Sequence, residues 1–507
     1  MNLRIVARLI NLPENRAVRV QTAAHPLLLL RIGDQVRAFQ ADCPHAGAPL
    51  EDGVICNGHL ICPWHKAAFA VDSGAVMEPP ALVGLRQYPV QVNAGVVSVG
   101  DQPIAPEPPA PRLDARCFAV IGAGAAGTAA VATLRREGFA GRLLWIDREA
   151  NPAYDRTALS KFVIAGEMPV EDTPSLLEEN SFADHGIHGE VKRLDAAAKC
   201  IELVDGRRFD YDAALVASGG EAQPLDIPGA VLSNVFVLRS RDDAARIADA
   251  AQSAACAVII GDSFIGLEAA SALRQRGLVV QVVSRHEIPL AAQLGRRIGA
   301  ALRQLHEDNG VIFHSNTEPE RLDGHGAVST VLLKNGKRLA ADLVLMGVGV
   351  KPATAFVHGV SYADDDSLSA DAHLQLAPGL WAAGDNVTFA WQQQPVRIEH
   401  WRLAQQLGEL AARNMLGDTQ AFSDVPFFWT YHFGKTFEVL GHAQHWNRLH
   451  LEGDLQRHTF IALLCCDDQV EAVIACEYQQ AMARLSRRMR QPLGKAEALE
   501  LIRQTQH

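Results

Sequence analysis

The chain has 507 residues, of which 48% are hydrophobic and 21% charged, and this composition excludes wholesale disorder. Its formal net charge is −11, and because an acidic surface repels phosphate backbones, we expect no nucleic-acid partner. The length predicts about three or four domains.

Cysteine content and apolar runs bear on the compartment. Nine cysteines are too few for a disulfide scaffold in so long a chain, and they predict a reducing compartment. The first residues carry no basic segment followed by an apolar one, so we expect no secretory signal. The most apolar window, Cys117 to Leu134, is rich in glycine and alanine, which favours a strand, a turn and a helix over a membrane span. We therefore expect a cytoplasmic protein with no membrane partner.

The first hundred residues read as β structure. The apolar run Leu27 to Ile32 is followed by a turn at Gly33, and turn residues are frequent throughout. Five prolines between 103 and 111 then predict an extended, semi-rigid spacer. Two later segments, starting at Cys117 and Ala257, each combine an apolar strand, a Gly-rich turn and an Ala-rich helix, which is typical of parallel-sheet nucleotide-binding domains. Strand-like runs follow residue 422, and 484–504 predicts a helix.

Two short loops each combine a cysteine with a histidine: Cys43 with His45, and Cys62 with His65. Two thiolates and two imidazoles suit one tetrahedral zinc ion, or a [2Fe-2S] cluster with cysteines on one iron and histidines on the other. Each loop supplies one ligand of each kind, and glycine and proline crowd both loops, which leaves backbone amides free to bond sulfide. The pattern therefore favours the cluster.

The segments 43–50 and 62–65 resemble the Rieske ferredoxin module, over roughly residues 3–100. The resemblance implies two cysteines on one iron and two histidines on the other: Cys43 and Cys62, His45 and His65. Ala48 and Trp64 stand where respiratory-chain Rieske proteins carry disulfide-forming cysteines. The module is thus similar to the lower-potential, ferredoxin-type branch.

The first nucleotide-binding segment has an apolar strand at 118–121, then Gly122, Gly124 and Gly127 at the start of an Ala-rich helix. Glycines at this spacing allow a tight turn, let a pyrophosphate approach the backbone, and let helix and strand pack closely. The second strand ends at Asp147. Either Asp147 or Glu149 is expected to bond the adenosine ribose, and the spacing leaves both open.

The segment Tyr154 to Lys161 resembles the ferredoxin-reductase and apoptosis-inducing-factor-like flavoproteins, as do segments 217–220, 381–385 and 397–401. The resemblance implies FAD, with the following contacts: Arg156 near the pyrophosphate, Lys161 near the isoalloxazine ring, Gly384 and Asp385 at the ribityl chain. Trp401 either covers a flavin face or packs in the core. No redox dithiol motif lies near these segments, so we expect no disulfide reductase.

The second nucleotide-binding segment carries Gly261, Ser263 and Gly266, with serine in place of the middle glycine. Its position after the FAD segments resembles flavoprotein reductases in which a nicotinamide domain is inserted into the FAD domain. The resemblance implies that Glu268 faces the flavin, where it is expected to pair with Lys161. The two are our catalytic candidates, and the alternative is a pair with a structural role only. The resemblance also implies a place beside the nicotinamide for the turn that contains Gly349.

The choice of nucleotide depends on the residue after the strand 279–283. An acidic residue there would bond the 2′-hydroxyl of NADH, whereas an arginine pairs with a 2′-phosphate. Arg285 therefore points to NADPH, and the nearby Glu287 keeps NADH open.

We therefore expect a multidomain fold, with an all-β Rieske domain, two α/β Rossmann-like domains and, by resemblance, a small α/β C-terminal domain. The expected boundaries are 1–102 for the Rieske domain, 103–114 for the linker, 115–240 and 365–420 for the FAD domain, 241–364 for the NAD(P) domain and 421–507 for the C-terminal domain. The sequence leaves open whether the first domain is docked or mobile, and whether the protein is a monomer or a homodimer.

The order of the three segments predicts one electron path, from NAD(P)H through FAD to the cluster and on to an acceptor protein. One alternative is an NAD(P)H oxidase or quinone-type reductase with the Rieske domain as a side branch. Another is a redox-sensing interaction protein. Four arginines near the end, at 484, 487, 488 and 490, either dock an acidic electron-transfer partner or form a solvated helix face, and we expect the second.

Overall fold

The computed structural model describes residues 3–177 and 186–505. The N-terminal domain contains three antiparallel sheets built from short strands. Their strands are Leu3–Arg8, Val96–Gly100 and Val90–Asn93; Ala17–Gln21, Pro26–Ile32, Gln35–Gln40 and Gln87–Tyr88; and Val54–Cys56, His59–Ile61, Ala68–Ala70 and Val76–Glu78. The run of four leucines in strand Pro26–Ile32 is buried on both faces. Leu28 and Leu30 pack in the core that contains the cysteine loops, whereas Leu27 and Leu29 pack in a second core.

The first α/β unit is a six-stranded sheet, parallel except for its last strand. Its strands, in spatial order, are Gly186–His188, Arg142–Asp147, Cys117–Ile121, Ala213–Val216, Leu380–Ala382 and Gln375–Ala377. Helices Ala125–Arg136 and Trp401–Met415 pack against it and against each other. A smaller sheet joins Val191–Asp195, Cys200–Leu203, Arg208–Asp210 and Val357–His358.

The second α/β unit is a five-stranded parallel sheet. Its strands are Val235–Phe236, Leu343–Met346, Cys256–Ile260, Val279–Val283 and Ile312–His314. The helices of this unit are Arg241–Ser253, Phe264–Gln275, Ala291–Leu294 and Arg296–Asp308, and an antiparallel sheet of Pro319–His325, Ala327–Leu333 and Arg338–Ala340 packs beside them. Two small sheets connect these parts of the chain. One pairs Gly220–Ala222 with Val350–Pro352, and the other contains Leu368–Ser369, Val387–Trp391 and Gln394–Val396.

The C-terminal domain is a five-stranded antiparallel sheet with helices on one face. Its strands, in spatial order, are Phe427–His432, Lys435–Gly441, Gln469–Cys476, Thr459–Cys466 and Arg448–Asp454. The single helix predicted over 484–504 is wrong, because the chain forms two helices, Gln479–Arg488 and Lys495–Arg503. Pro492 and Gly494 lie in the break, where proline removes a helical hydrogen bond. Within the two described ranges no helix is both long and apolar enough to cross a membrane.

Candidate active site

The two cysteine–histidine loops have the same backbone design. Each has a turn directly after its cysteine, at 44–46 and at 63–65, and each cysteine N–H donates to a carbonyl five residues later at 2.8 Å. The fourth residue after the cysteine is left-handed in both loops, Gly47 at φ +74° and Lys66 at φ +61°. This conformation favours glycine, so a lysine at the second position indicates that its side chain is held by strong contacts.

The four predicted ligands come together as two pairs. The Nδ1 atoms of His45 and His65 lie 3.1 Å apart, and the thiols of Cys43 and Cys62 lie within hydrogen-bonding distance of each other. Two backbone N–H groups point at each sulfur, from residues 45 and 46 and from residues 64 and 65. In the described part of the chain, no three His, Cys, Asp or Glu side chains are placed to hold a single metal ion. Paired thiols and paired imidazoles fit the two irons of a [2Fe-2S] cluster better than one zinc ion.

The histidine pair faces other parts of the chain. The ring of His65 stacks on Trp429 of the C-terminal domain, with centroids 4.0 Å apart. The Nε2 atom of His45 lies 3.5 Å from Oδ2 of Asp155, a buried residue of the first α/β unit. The N-terminal domain is therefore docked with its histidines turned inward.

Buried ion pairs hold this docking. Lys66 Nζ lies 2.5 Å from Oε1 of Glu438, with the two side chains 0% and 3% exposed. Lys66 also donates to the carbonyl of Pro63 and lies over the ring of Phe427. Burial raises the pKa of the Glu438 carboxyl to about 7, and the Lys66 ammonium opposes that rise.

A second group of ion pairs surrounds Glu78. This carboxylate contacts Arg402 at 2.7 Å and also Arg487 and Arg490. Burial acts to raise the pKa of Glu78, but the three guanidiniums outweigh it and lower the value. The prediction that the arginines at 484–490 form a solvated face is therefore wrong for Arg487 and Arg490, because both bind the N-terminal domain.

A cavity of about 690 Å³ lies between the two α/β units and the C-terminal domain, and Gly122 and Gly124 line it. A Cβ added to Gly124 would meet no atom within 4 Å, so the backbone there borders open space. A Cβ added to Gly127 would lie 1.9 Å from the carbonyl oxygen of Gly122, so Gly127 is needed for helix packing. These positions suit a pyrophosphate at the helix start.

The two candidate ribose-binding carboxylates differ in their surroundings. Glu149 accepts hydrogen bonds from Arg156 at 2.6 Å and from the Tyr154 hydroxyl at 2.7 Å. Asp147 lines the same cavity and accepts from the backbone of the next residue, Arg148. Burial, followed by the charge of Glu149, raises the pKa of Asp147. The carboxylate of Asp147 therefore has fewer side-chain partners than that of Glu149, which is hydrogen-bonded to Arg156.

Lys161 and Glu268 meet in the cavity wall. Lys161 lies on the π-helical turn Leu159–Val163, and Glu268 on helix Phe264–Gln275. Lys161 Nζ donates to Oε2 of Glu268 at 2.9 Å, and the two side chains are 8% and 3% exposed. The Ser160 hydroxyl donates to the same oxygen at 2.5 Å. The predicted pair is therefore an ion pair in the wall of the cavity.

The late segments close the cavity on its other side. Gly384, Asp385 and Trp401 all line it, and Oδ2 of Asp385 accepts from Arg239 at 3.3 Å. The indole Nε1 of Trp401 is buried and has no partner. A buried donor without an acceptor is rare, and a bound ring with carbonyl oxygens would satisfy it. The residues present therefore fit FAD.

The second Gly-rich turn is arranged differently from the first. The Ser263 hydroxyl donates to the carbonyl of Gly347 at 2.7 Å and accepts from the N–H of Gly266 at 3.2 Å. It therefore caps the helix and ties its start to the sheet. Ser263 and Gly349 line the cavity, whereas Gly261 forms the tight turn at φ +107°.

The structure does not bring Arg285 into the cavity lining. Its side chain is 72% exposed, and its Nε lies 3.7 Å from Oε1 of Glu318. Reasoning from sequence missed Trp429, Asp155 and the pair of Lys66 with Glu438. The aromatic run 427–429 was the available signal for the first of these, and nothing in the local sequence marked the others.

Comparison with protein families places two known models on the chain. Residues 3–89 match the Rieske [2Fe-2S] domain, and residues 117–408 match the pyridine nucleotide-disulphide oxidoreductase model. Among curated proteins, mouse apoptosis-inducing factor 3 is 32% identical over 498 residues, covering 93% of this chain and 82% of that protein. The biphenyl dioxygenase system ferredoxin–NAD(+) reductase component of Paraburkholderia xenovorans is 33% identical, covering 71% of this chain and 89% of that protein.

Among solved structures, the chain is similar to the covalent putidaredoxin reductase–putidaredoxin complex, with a TM-score of 0.72 and 24% identity over 77% of this chain and 99% of that one. It is also similar to the ferredoxin reductase of the CYP199A2 system from Rhodopseudomonas palustris, with a TM-score of 0.71 and 24% identity over 76% of this chain and 99% of that one. At this identity the likeness establishes the fold.

Proposed function

Since the chain belongs to the pyridine nucleotide-disulphide oxidoreductase family and carries an N-terminal Rieske [2Fe-2S] domain, we propose that it passes electrons from NAD(P)H through FAD to its own cluster, and from there to an acceptor protein. It is an NAD(P)H oxidoreductase of ferredoxin-reductase type. One observation carries the proposal: Trp429 lines the nucleotide cavity and also stacks on His65. A single indole therefore separates the cavity from a predicted cluster ligand.

The side chains around the cavity support this direction of flow. When bound, FAD accepts a hydride as an electron pair, and the cluster takes electrons one at a time. Lys161 and Glu268 keep a charged pair beside the ring, and Trp401 offers its indole N–H to it. Asp147, with the freer carboxylate, is our choice for the ribose. The roles of these residues, and of the four ligands Cys43, His45, Cys62 and His65, are part of the proposal.

The relatives support an acceptor outside the chain. The similar Paraburkholderia protein is named as the reductase component that serves a ferredoxin in a dioxygenase system. In this chain the Rieske domain occupies the face beside Trp429, so we infer that it takes the ferredoxin's place and delivers electrons to a further protein. The division of the chain at 102, 114, 240, 364 and 420 is our working layout, and the sheets suggest two adjustments to it. Val235–Phe236 pairs within the sheet of the second α/β unit, and Val357–His358 pairs with Val191–Asp195 of the first, so the boundaries at 240 and 364 both move toward the N-terminus.

Anaerobic rapid mixing with NADPH and with NADH, in separate experiments, tests the path. We expect the flavin absorbance to bleach first and the cluster absorbance to fall on the timescale of turnover, with a reduced-cluster EPR signal at the end. Flavin bleaching without cluster reduction would instead indicate an oxidase or quinone-type reductase. Failure to reduce any acceptor, together with nucleotide-dependent assembly, would indicate a redox sensor.

A matched variant tests the ligand assignment. His65→Cys should remove the Rieske-type EPR signal and leave flavin bleaching in place, because it changes an iron ligand and not the nucleotide cavity. Unchanged cluster spectra would contradict the assignment of His65.

A further inference from the structure

The Glu268 carboxylate has a second set of partners behind the Lys161 pair. Its Oε1 atom accepts from the Thr430 hydroxyl at 2.7 Å and from the backbone N–H of Tyr431 at 3.3 Å. Thr430 is 1% exposed and Glu268 is 3% exposed. The carboxylate is thus held from both sides, with Ser160 and Lys161 on one oxygen and the C-terminal domain on the other.

The chain of hydrogen bonds continues inward from Thr430. Its hydroxyl lies 2.9 Å from Nε2 of His432, and Nδ1 of His432 lies 3.3 Å from Nε2 of His306. Both histidines are fully buried. His306 comes from helix Arg296–Asp308, so the chain joins three separate parts of the protein.

The chemistry of each group gives one consistent direction for these hydrogen bonds, with the carbonyl of Leu267 as a further acceptor beside the His432 ring. A carboxylate only accepts, so the Thr430 hydroxyl donates to Glu268 and must accept from Nε2–H of His432. The Nδ1 atom of His432 then carries no proton, and it accepts from Nε2–H of His306. The Nδ1 atom of His306 is left without a partner, as the buried end of the chain. All donors therefore point toward Glu268.

The surroundings keep both histidines neutral. Burial, followed by the charge of Lys161, lowers the pKa of His432 to about 3, and burial, followed by His432, lowers the pKa of His306 well below its usual range. The other groups that face them are the carbonyl of Leu267 and the rings of Phe313, Phe433 and Phe437. Neutral rings match the two tautomers that the geometry requires.

The side chains that strand Phe427–His432 contributes to this series of hydrogen bonds all lie on one face of the strand. Because side chains alternate along a strand, Phe427 and Trp429 point toward the N-terminal domain. Phe428, Thr430 and His432 point toward the α/β units, where Phe428 stacks on His400. The same strand thus serves the cluster side and the Lys161–Glu268 side.

We propose that Thr430 is a positioning residue for Glu268, and that His432 and His306 orient its hydroxyl, so that the Glu268 carboxylate stays aimed at Lys161 during flavin reduction. The proposal rests on the proposed function, because it gives the Lys161–Glu268 pair its place beside the flavin. A buried carboxylate that loses a hydrogen-bond donor has an unsatisfied oxygen, and its orientation toward Lys161 is then less firmly fixed.

The first test compares two changes at one position. Thr430→Val keeps the shape of the side chain and removes the hydroxyl, whereas Thr430→Ser keeps the hydroxyl. In anaerobic rapid mixing with NADPH, we expect T430V to slow flavin bleaching about tenfold at pH 7, the size of effect that loss of one hydrogen bond to a buried charge produces. T430S should restore the rate, and Thr436→Val, in the neighbouring strand, controls for a Thr-to-Val change in the same sheet.

Two outcomes would overturn the proposal. One is a T430V rate of flavin bleaching equal to that of the wild type; the other is a T430S enzyme as impaired as T430V, which would mean that the hydroxyl is not what matters. If neither nucleotide bleaches the wild-type flavin, the proposed function fails instead.

The second test needs no turnover. ¹⁵N-histidine spectra of the full chain, with signals assigned by His306→Gln and His432→Gln, report the tautomer and charge of each ring. We expect both rings to be neutral at pH 7 with the proton on Nε2. A charged ring, or a proton on Nδ1 of His432, would overturn the directed chain even if flavin reduction proceeds as proposed.

Discussion

His65 and Trp429 stack with ring centroids 4.0 Å apart and an angle of 33° between their planes. The contact joins a residue of the N-terminal domain to one that lines the nucleotide cavity in the same chain. On the proposed path, an electron leaving the cavity has a direct aromatic contact with a predicted iron ligand, and experiment can separate the two redox steps.

Replacing Trp429 should slow the second step more than the first. We expect Trp429→Leu to slow cluster reduction at least about tenfold, equal to about 1.4 kcal/mol of barrier, with a smaller effect on flavin bleaching. Dual-wavelength rapid mixing measures both steps. Trp64→Leu is the control, because Trp64 is exposed, lies outside the nucleotide cavity and meets His65 only edge-on, with ring centroids 6.3 Å apart. Equal slowing in both variants would contradict a special role for Trp429.

Breaking the Lys66–Glu438 pair should loosen the docked domain. Lys66→Met leaves a buried carboxylate without its partner, a change that typically costs about 3–5 kcal/mol. The double variant Lys66→Met with Glu438→Leu should recover most of that loss, since neither charge remains. Denaturant unfolding of the two single variants and the double variant gives the coupling energy. Single variants that lose less than about 1 kcal/mol would indicate a solvent-accessible pair.

Arg285 should affect the use of NADPH and not of NADH. A charge-assisted hydrogen bond to the 2′-phosphate is worth about 1.5–3 kcal/mol, so Arg285→Gln should raise the KM for NADPH at least about tenfold. Steady-state assays with both nucleotides measure the ratio. Arg297→Gln, at another exposed arginine of the same unit, serves as the control. If the wild type already prefers NADH, the contact of Arg285 with Glu318 is its main role.

Acid should destabilise the protein through His400, a half-buried histidine of the cavity wall that stays neutral in the folded state. Burial, followed by the charge of His442, lowers the pKa of His400 to about 3, whereas an unfolded histidine titrates near 6.5. Between these values only the unfolded chain takes up the proton, so the stabilisation is present above pH 6.5 and is lost as pH falls. His400→Phe should lose about 2 kcal/mol less stability than the wild type between pH 6.5 and 5. Urea unfolding at the two pH values measures this, and His325→Phe, at an exposed histidine, should leave the loss unchanged.

Local patterns predicted the parts of the molecule that depend on local geometry. The cysteine loops and the turn at Gly122 need particular residues at fixed spacing, and the family matches confirm the Rieske domain and the oxidoreductase fold. The cofactors expected from these motifs are confirmed as well. The individual ligand and cofactor contacts stay predictions, although the structure brings most of them to one cavity or one loop pair.

Contacts between distant segments were beyond the reach of the sequence. Lys66 and Glu438 are 372 positions apart, and each would be an ordinary surface residue if its domain stood alone. Arg487 reads as part of a solvated helix for the same reason, yet it binds Glu78. Such pairs depend on how the folded domains dock against each other. The pattern of hydrophobic residues in one sequence carries no information about that arrangement.

The alternation along strand Phe427–His432 has a consequence for how this protein can change. An insertion or deletion of one residue at its start would exchange the two faces, sending Trp429 toward the helices and Thr430 toward the iron ligands. A substitution in this strand changes one side-chain contact. A one-residue change in the register of the strand would instead disrupt the contacts on both faces at once, and with them the proposed entry and exit of electrons. We therefore expect insertions and deletions in natural variants of this protein to fall in the loop before this strand and not within its six residues.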